Sequence, residues 1–150
     1  MQLAKSIFQN NLPYHLIGMD PCSIPVRKKR MVAFVTFHTI NFEKALRSYI
    51  FIHELVHIWQ YRTSGAVYIS ESMWAQHWGG GYNYGGKESL LKNYEIGLEA
   101  FNYEQQAEII EDYFRIINDL PLQWSKNDPE IERVLERYVY QLKENRSNKV

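Results

Sequence analysis

The hydrophobic and polar positions of this chain change period several times. Residues 1–25 form a short helical or irregular lead-in closed by Pro13, Pro21 and Pro25. From Met31 to Ile40 the residues are dense in β-branched and aromatic types, which predicts a strand. Asn41 then stands as a cap before a helix that starts near Phe42-Glu43, runs to about Thr63 and ends at Ser64-Gly65. Between Gly65 and about Asn93 no period persists. A second helix is predicted from Tyr94 or Asn102 to Asn118, with Ala107, Ile110, Phe114 and Ile117 on one face and Pro121 beyond its end. A third, from about Pro129 to Glu144, places Ile131, Val134, Leu135, Tyr138 and Leu142 at helical spacing, before a frayed tail from Asn145. The pattern predicts an α+β class and, with no internal repeat or linker, a single domain over 1–150.

Length and charge support that reading. The chain has 150 residues, enough for one core, and its 17 basic and 17 acidic side chains cancel. Zero net charge argues against nucleic-acid binding, which calls for a basic excess. The run Arg27-Lys28-Lys29-Arg30 stands alone and reads as a solvated turn. No apolar run is long enough to span a bilayer, and Gln9, Asn10 and Asn11 interrupt any signal-peptide core, so the expectation is a cytoplasmic protein without a membrane partner. Translocation without a cleaved signal stays open. The lone Cys22 rules out an internal disulfide and has no base beside it in sequence. Aromatic residues, at 15%, are abundant, and seven Tyr or Trp (Trp59, Tyr61, Tyr68, Trp74, Trp78, Tyr82, Tyr84) fall between 59 and 84, where a substrate wall is expected.

The chemistry concentrates in His53-Glu54-Leu55-Val56-His57. Residues four apart share a helix face, so His53 and His57 can offer two imidazoles to one ion. Glu54, one step round, is placed as a general base, the HExxH arrangement of zinc hydrolases. At this chain's residue usage the pattern would arise by chance in about one chain in 70, so its position within a helix after a strand adds weight. A catalytic zinc takes three protein ligands and keeps one position open. The candidates for the third are Glu95, Glu99, Glu104, Glu108 and Glu111, with His77 as an outsider. A polarised carbonyl needs a hydrogen-bond donor, and His77, Tyr82 and Tyr84 are the candidates, His77 first. Gly79–Gly81 and Gly85-Gly86 would let their segment fold over a substrate, with Trp74 and Trp78 as its wall. If the strand Val32–Ile40 lies at a sheet edge, an extended peptide could pair with it.

The residues after each motif carry a family resemblance. Gln60 and Thr63 stand where the metzincins require Gly and His, which excludes that class. His53 to Gln60, followed by Glu104-Gln105-Gln106-Ala107-Glu108, resembles the gluzincin-type zincins, and in particular small bacterial zincin-like proteins associated with the Vgr and Rhs elements of type VI secretion systems. The resemblance spans about residues 31–118. It implies a minimal zincin-like domain, in which a small sheet and the HExxH helix pack against a Glu-bearing helix and a C-terminal helix. It also implies zinc held by His53, His57 and Glu104, with Ala107 small enough for close helix approach. Glu108, where thermolysin-like proteins have Asp, would accept a hydrogen bond from one histidine. The implied activity is peptide or amide hydrolysis on a peptide or protein substrate, with a Vgr- or Rhs-type partner. The alternative is a binding or adaptor module that keeps the metal for stability; it has no need of Glu54.

Overall fold

The computed structural model describes residues 2–21, 33–43, 45–65 and 81–144. Cys22, the basic run 27–30, Tyr68, Trp74, His77, Trp78, Gly79, Gly80 and the tail from Asn145 lie outside them. Helix α1 (Gln2–Phe8) leads into strand β1 (Gly18–Pro21), then β2 (Ala33–Thr36) and β3 (Thr39–Phe42). Four α-helices follow: α2 (Ser48–Ser64), α3 (Gly86–Lys92), α4 (Tyr103–Ile116) and α5 (Pro129–Glu144), with a 3₁₀ turn at Gly97–Ala100. The result is a small α+β fold with five α-helices and one three-stranded sheet among the described residues.

The single strand expected up to Ile40 is a hairpin. Phe37 adopts φ 55°, and the two-residue loop Phe37-His38 reverses the chain, as positive φ in such loops does. β2 pairs antiparallel with β3, while β1, which the pattern did not reveal, pairs parallel on the other side in the order β1-β3-β2. Asn41 is therefore a residue of β3, and its amide donates to the Phe34 and Thr39 carbonyls and to Thr36 Oγ1. The expected helix cap is thus taken up by the hairpin. α2 starts seven residues later, at Ser48, with extended Arg47 as its cap residue and no side-chain cap bond.

α2 ends as expected at Gly65, whose N–H bonds the Tyr61 carbonyl at 2.9 Å and whose φ of 68° turns the chain out of the helix. Within the stretch read as aperiodic, α3 forms and buries Leu90. Asn102 starts α4 with a reciprocal capping box, its side chain accepting from Gln105 N–H while the Gln105 side chain accepts from Asn102 N–H. α5 spans the residues its periodicity predicts; Asp128 Oδ1 accepts from the N–H groups of Glu130 and Ile131 at its start.

α2 packs most extensively on α4, and α4 in turn on α5. The core joins Ile52, Leu55 and Ile58 of α2 with Ala107, Ile109 and Ile110 of α4 and Ile131, Leu135 and Tyr138 of α5. Full burial of one such aliphatic side chain contributes about 1.5–3 kcal/mol. The Tyr138 hydroxyl is satisfied by the Leu90 carbonyl at 2.6 Å, which ties α5 to α3. No helix of the described residues is long and apolar enough to cross a membrane.

Candidate metal centre

The middle of α2 is buried without a break from Ile52 to Gln60, so His53, Glu54, His57 and Gln60 are held inside the protein. Buried polar groups of this kind are costly unless partnered. Their partners come from α4, where Glu104, Glu108 and Glu111 recur at helical spacing and are also buried. His53 Nε2 and His57 Nε2 each lie 3.4 Å from the same oxygen, Oε2 of Glu104. Ligands of a tetrahedral zinc at bonds of about 2.0–2.1 Å are roughly 3.3–3.4 Å apart, so these separations fit a three-ligand set. Among the described residues, His53, His57 and Glu104 are close enough to hold one metal ion.

The far nitrogen of each ring is also engaged. His57 Nδ1 meets Gln60 Oε1 at 2.8 Å, and the Gln60 amide donates to the Tyr103 carbonyl and to Gln106 Oε1. Gln60 thus pins His57 Nδ1–H and frees Nε2 as a ligand atom. His53 Nδ1 lies 3.2 Å from Glu111 Oε2 and 3.6 Å from Glu108 Oε1. Glu111, read from sequence only as a third-ligand candidate, is therefore the nearer partner of His53, in place of Glu108. Arg115 clamps the other Glu111 oxygen through Nε at 2.8 Å and Nη2 at 2.7 Å, and its guanidinium lies 3.8 Å over the Tyr49 ring. Glu108 accepts instead from Trp124 Nε1 at 2.7 Å. His53, Glu108 and Glu111 form a second close cluster, in which Arg115 and Trp124 hold the carboxylate oxygens turned away from His53.

Charge balance points the same way. Glu54, Glu104, Glu108 and Glu111, with Asp112 buried behind them, outnumber the two imidazoles and, among the described residues, the guanidinium of Arg115. Without a metal, protons take up the excess. Burial alone would lower the pKa of His53, but Glu104, Glu111, Glu108 and Glu54 outweigh it and raise it well above the ordinary imidazole value. His57 is raised likewise, burial being overcome by Glu104. Burial pushes Glu104 up, yet His57 and His53 beside it hold it well below the usual carboxylate range. Burial lifts Glu108 to about 7, against the pull of His53. A divalent cation would replace protons here, which is the coupling expected of a metal site.

Glu54 is 5% exposed, and its Oε2 has no hydrogen-bond partner among the described residues. Burial raises its pKa, partly offset by His57 and His53. Of the sequence-derived donors, Tyr82 stands at the site: its ring is 6.3 Å from that of His53, and it is 40% exposed. Burial, with Glu104, Glu54 and Glu108 nearby, pushes the Tyr82 phenol up, so it stays protonated. Tyr84 does not belong there. It is a core residue whose hydroxyl donates to Asp112 Oδ2 at 2.7 Å, while Asp112 also accepts from the backbone of Gln123 and Trp124.

The aromatic wall is reduced in the same way, because Trp59 lies in the core and Tyr61 packs edge-on against Phe37 and His38. His77, Trp74 and Trp78 fall outside the described residues. Glu95 and Glu99 are exposed, and neither belongs to a group close enough to hold an ion among the described residues. Sequence reasoning missed Gln60, Arg115 and Trp124 as anchors. Only Gln60 left a signal, three residues after His57 in the segment that carried the resemblance. The chain matches no protein-family profile, no curated protein and no solved structure.

Proposed function

We propose that this chain is a zinc-dependent hydrolase of peptide or amide bonds, built as a minimal zincin-like domain. The observation that carries the reading is the convergence of His53 and His57 on one oxygen of Glu104, beside the buried Glu54, whose Oε2 has no hydrogen-bond partner among the described residues. His53, His57 and Glu104 would hold the ion. When bound, zinc supplies a Lewis acid that polarises the substrate carbonyl and acidifies water. Glu54, its pKa raised by burial, takes a proton from the attacking water and returns it to the leaving nitrogen. Tyr82 donates to the carbonyl oxygen as charge develops there. Among the described residues β2 lies at the sheet edge, which suits an extended peptide substrate. A link to a contractile secretion apparatus is supported by the motif resemblance alone.

Metal analysis of the wild type, Glu54→Ala and Glu104→Ala, beside an unbiased peptide-cleavage screen, tests the reading. Glu54→Ala is expected to keep zinc and lose cleavage, and Glu104→Ala to bind zinc far more weakly. A wild type that neither carries nor takes up zinc sinks the proposal. Zinc uptake with the same silence from wild type and Glu54→Ala across the screen turns it towards a metal-keeping binding module.

A further inference from the structure

The first turn of α4 supplies Glu104 to the centre, and its two flanking polar residues reach back to the segment that bears Tyr82. Asn102 Nδ2 donates to the Gly81 carbonyl at 3.2 Å, and Gln105 Nε2 donates to the Asn83 carbonyl at 2.9 Å. The two bonds fall on either side of Tyr82, one residue before it and one after. Asn83 Oδ1 closes the segment by accepting from Gly85 N–H at 2.8 Å. The same two side chains form the capping box through their oxygens, so each amide works twice: oxygen to the helix, nitrogen to the segment.

We infer that Asn102 and Gln105 are positioning residues that clamp Tyr82 beside His53, so that ligand and oxyanion donor are set by one helical turn. A half-exposed tyrosine on irregular backbone has rotational and segmental freedom to lose, and a donor acts best when that loss precedes binding. Residues 81–83 are then a fixed wall of the site, unlike the closing segment expected from their glycines. What Tyr82 does rests on the hydrolase reading; how it is held does not.

The double use of each amide allows a clean test. Asn102→Asp and Gln105→Glu keep the cap, because Asp and Glu are favoured at those positions, and replace the N–H donors to residues 81 and 83 with carboxylate oxygens. Circular dichroism and thermal unfolding should therefore show helix content and stability retained. Chymotryptic cleavage after Tyr82, followed by mass spectrometry, should accelerate roughly tenfold in the double variant, since cleavage tracks the open population and two bonds are lost. Wild-type cleavage rates in the folded double variant overturn the clamp, and Gln105→Glu alone carries this arm if the double variant does not fold.

The second arm uses acetohydroxamate on zinc-loaded protein, with zinc affinity measured in parallel. The double variant and Tyr82→Phe should both weaken the probe while zinc affinity does not fall, since the two added carboxylates favour a cation. Faster cleavage with undiminished probe affinity in the double variant, where Tyr82→Phe weakens it, overturns the positioning role. Failure of the wild type to take up zinc overturns the hydrolase reading instead, and the clamp is then decided by the cleavage arm.

Discussion

Helices α2 and α5 are close in length, 17 and 16 residues, yet they bury opposite kinds of surface. α5 hides Ile131, Val134, Leu135, Tyr138, Val139 and Leu142 and turns Glu132, Arg133, Glu136 and Arg137 to solvent. Its apolar stripe is enough to explain why it docks. α2 is buried all round over Ile52–Gln60, and four of those nine residues are polar or ionisable. Such a helix docks only if another element answers its polar groups, and α4 does so with Glu104, Glu111 and the backbone at Tyr103. The difference teaches where stability and function reside. A helix explained by hydrophobic burial is scaffold, and one that needs partners for charge marks the site.

The contrast can be broken or sharpened experimentally. Leu135→Ala, in the scaffold, should cost about 2–5 kcal/mol in denaturant unfolding, and zinc affinity per folded molecule should not change. A parallel fall in zinc affinity would erase the distinction between the two helices. Glu104→Gln reverses the profile: zinc competition with a chromogenic chelator should show a loss beyond the roughly 100-fold that an outer partner can cost. Tyr84→Phe tests the reassignment of that residue. It should lower stability by about 1.5–3 kcal/mol, as loss of a bond to a carboxylate does, with zinc affinity and any hydrolysis kept. Gln60→Ala should weaken zinc by roughly 10–100-fold by releasing His57 Nδ1, and unchanged affinity would remove Gln60 from the centre.

The smallest effect is a pH dependence of the metal-free protein. His53 and His57 have folded pKa values above the ordinary 6.5, and Glu108 is raised to about 7 from 4.5. Each of these groups therefore contributes stability below its unfolded value that is lost as pH rises through its folded value. Glu104, held low, acts in the opposite sense and loses its contribution only in strong acid. The melting temperature of metal-free protein should thus decline from about pH 5 into the alkaline range. Zinc binds the neutral imidazoles, so its stabilising shift should widen over the same range. A constant shift between pH 6 and 9 would mean that metal and protons do not compete at His53 and His57.

Much of the site is visible in the chain because helical spacing is local. His53 and His57 share a face whatever surrounds them, and Glu54 follows from the same geometry. The hairpin was hidden because Phe37 takes a left-handed conformation that a β-rich run does not announce. β1 was hidden because its partner, β3, lies about twenty residues away and the pairing is parallel. Tyr84 looked like a donor because composition cannot tell a phenol aimed at a substrate from one aimed at Asp112.

What the sequence determined by itself is the set of candidates. Glu104, Glu108 and Glu111 lie at i, i+4 and i+7 of one helix, so all three face the same way and any could have met the two histidines. Only the packing of α2 on α4 decided among them, giving Glu104 to both Nε2 atoms, Glu111 to His53 Nδ1 and Glu108 to Trp124. The reason is geometric. Spacing along one helix is set by its own hydrogen bonds, whereas the rotation and offset between two helices depend on the shape of every side chain between them.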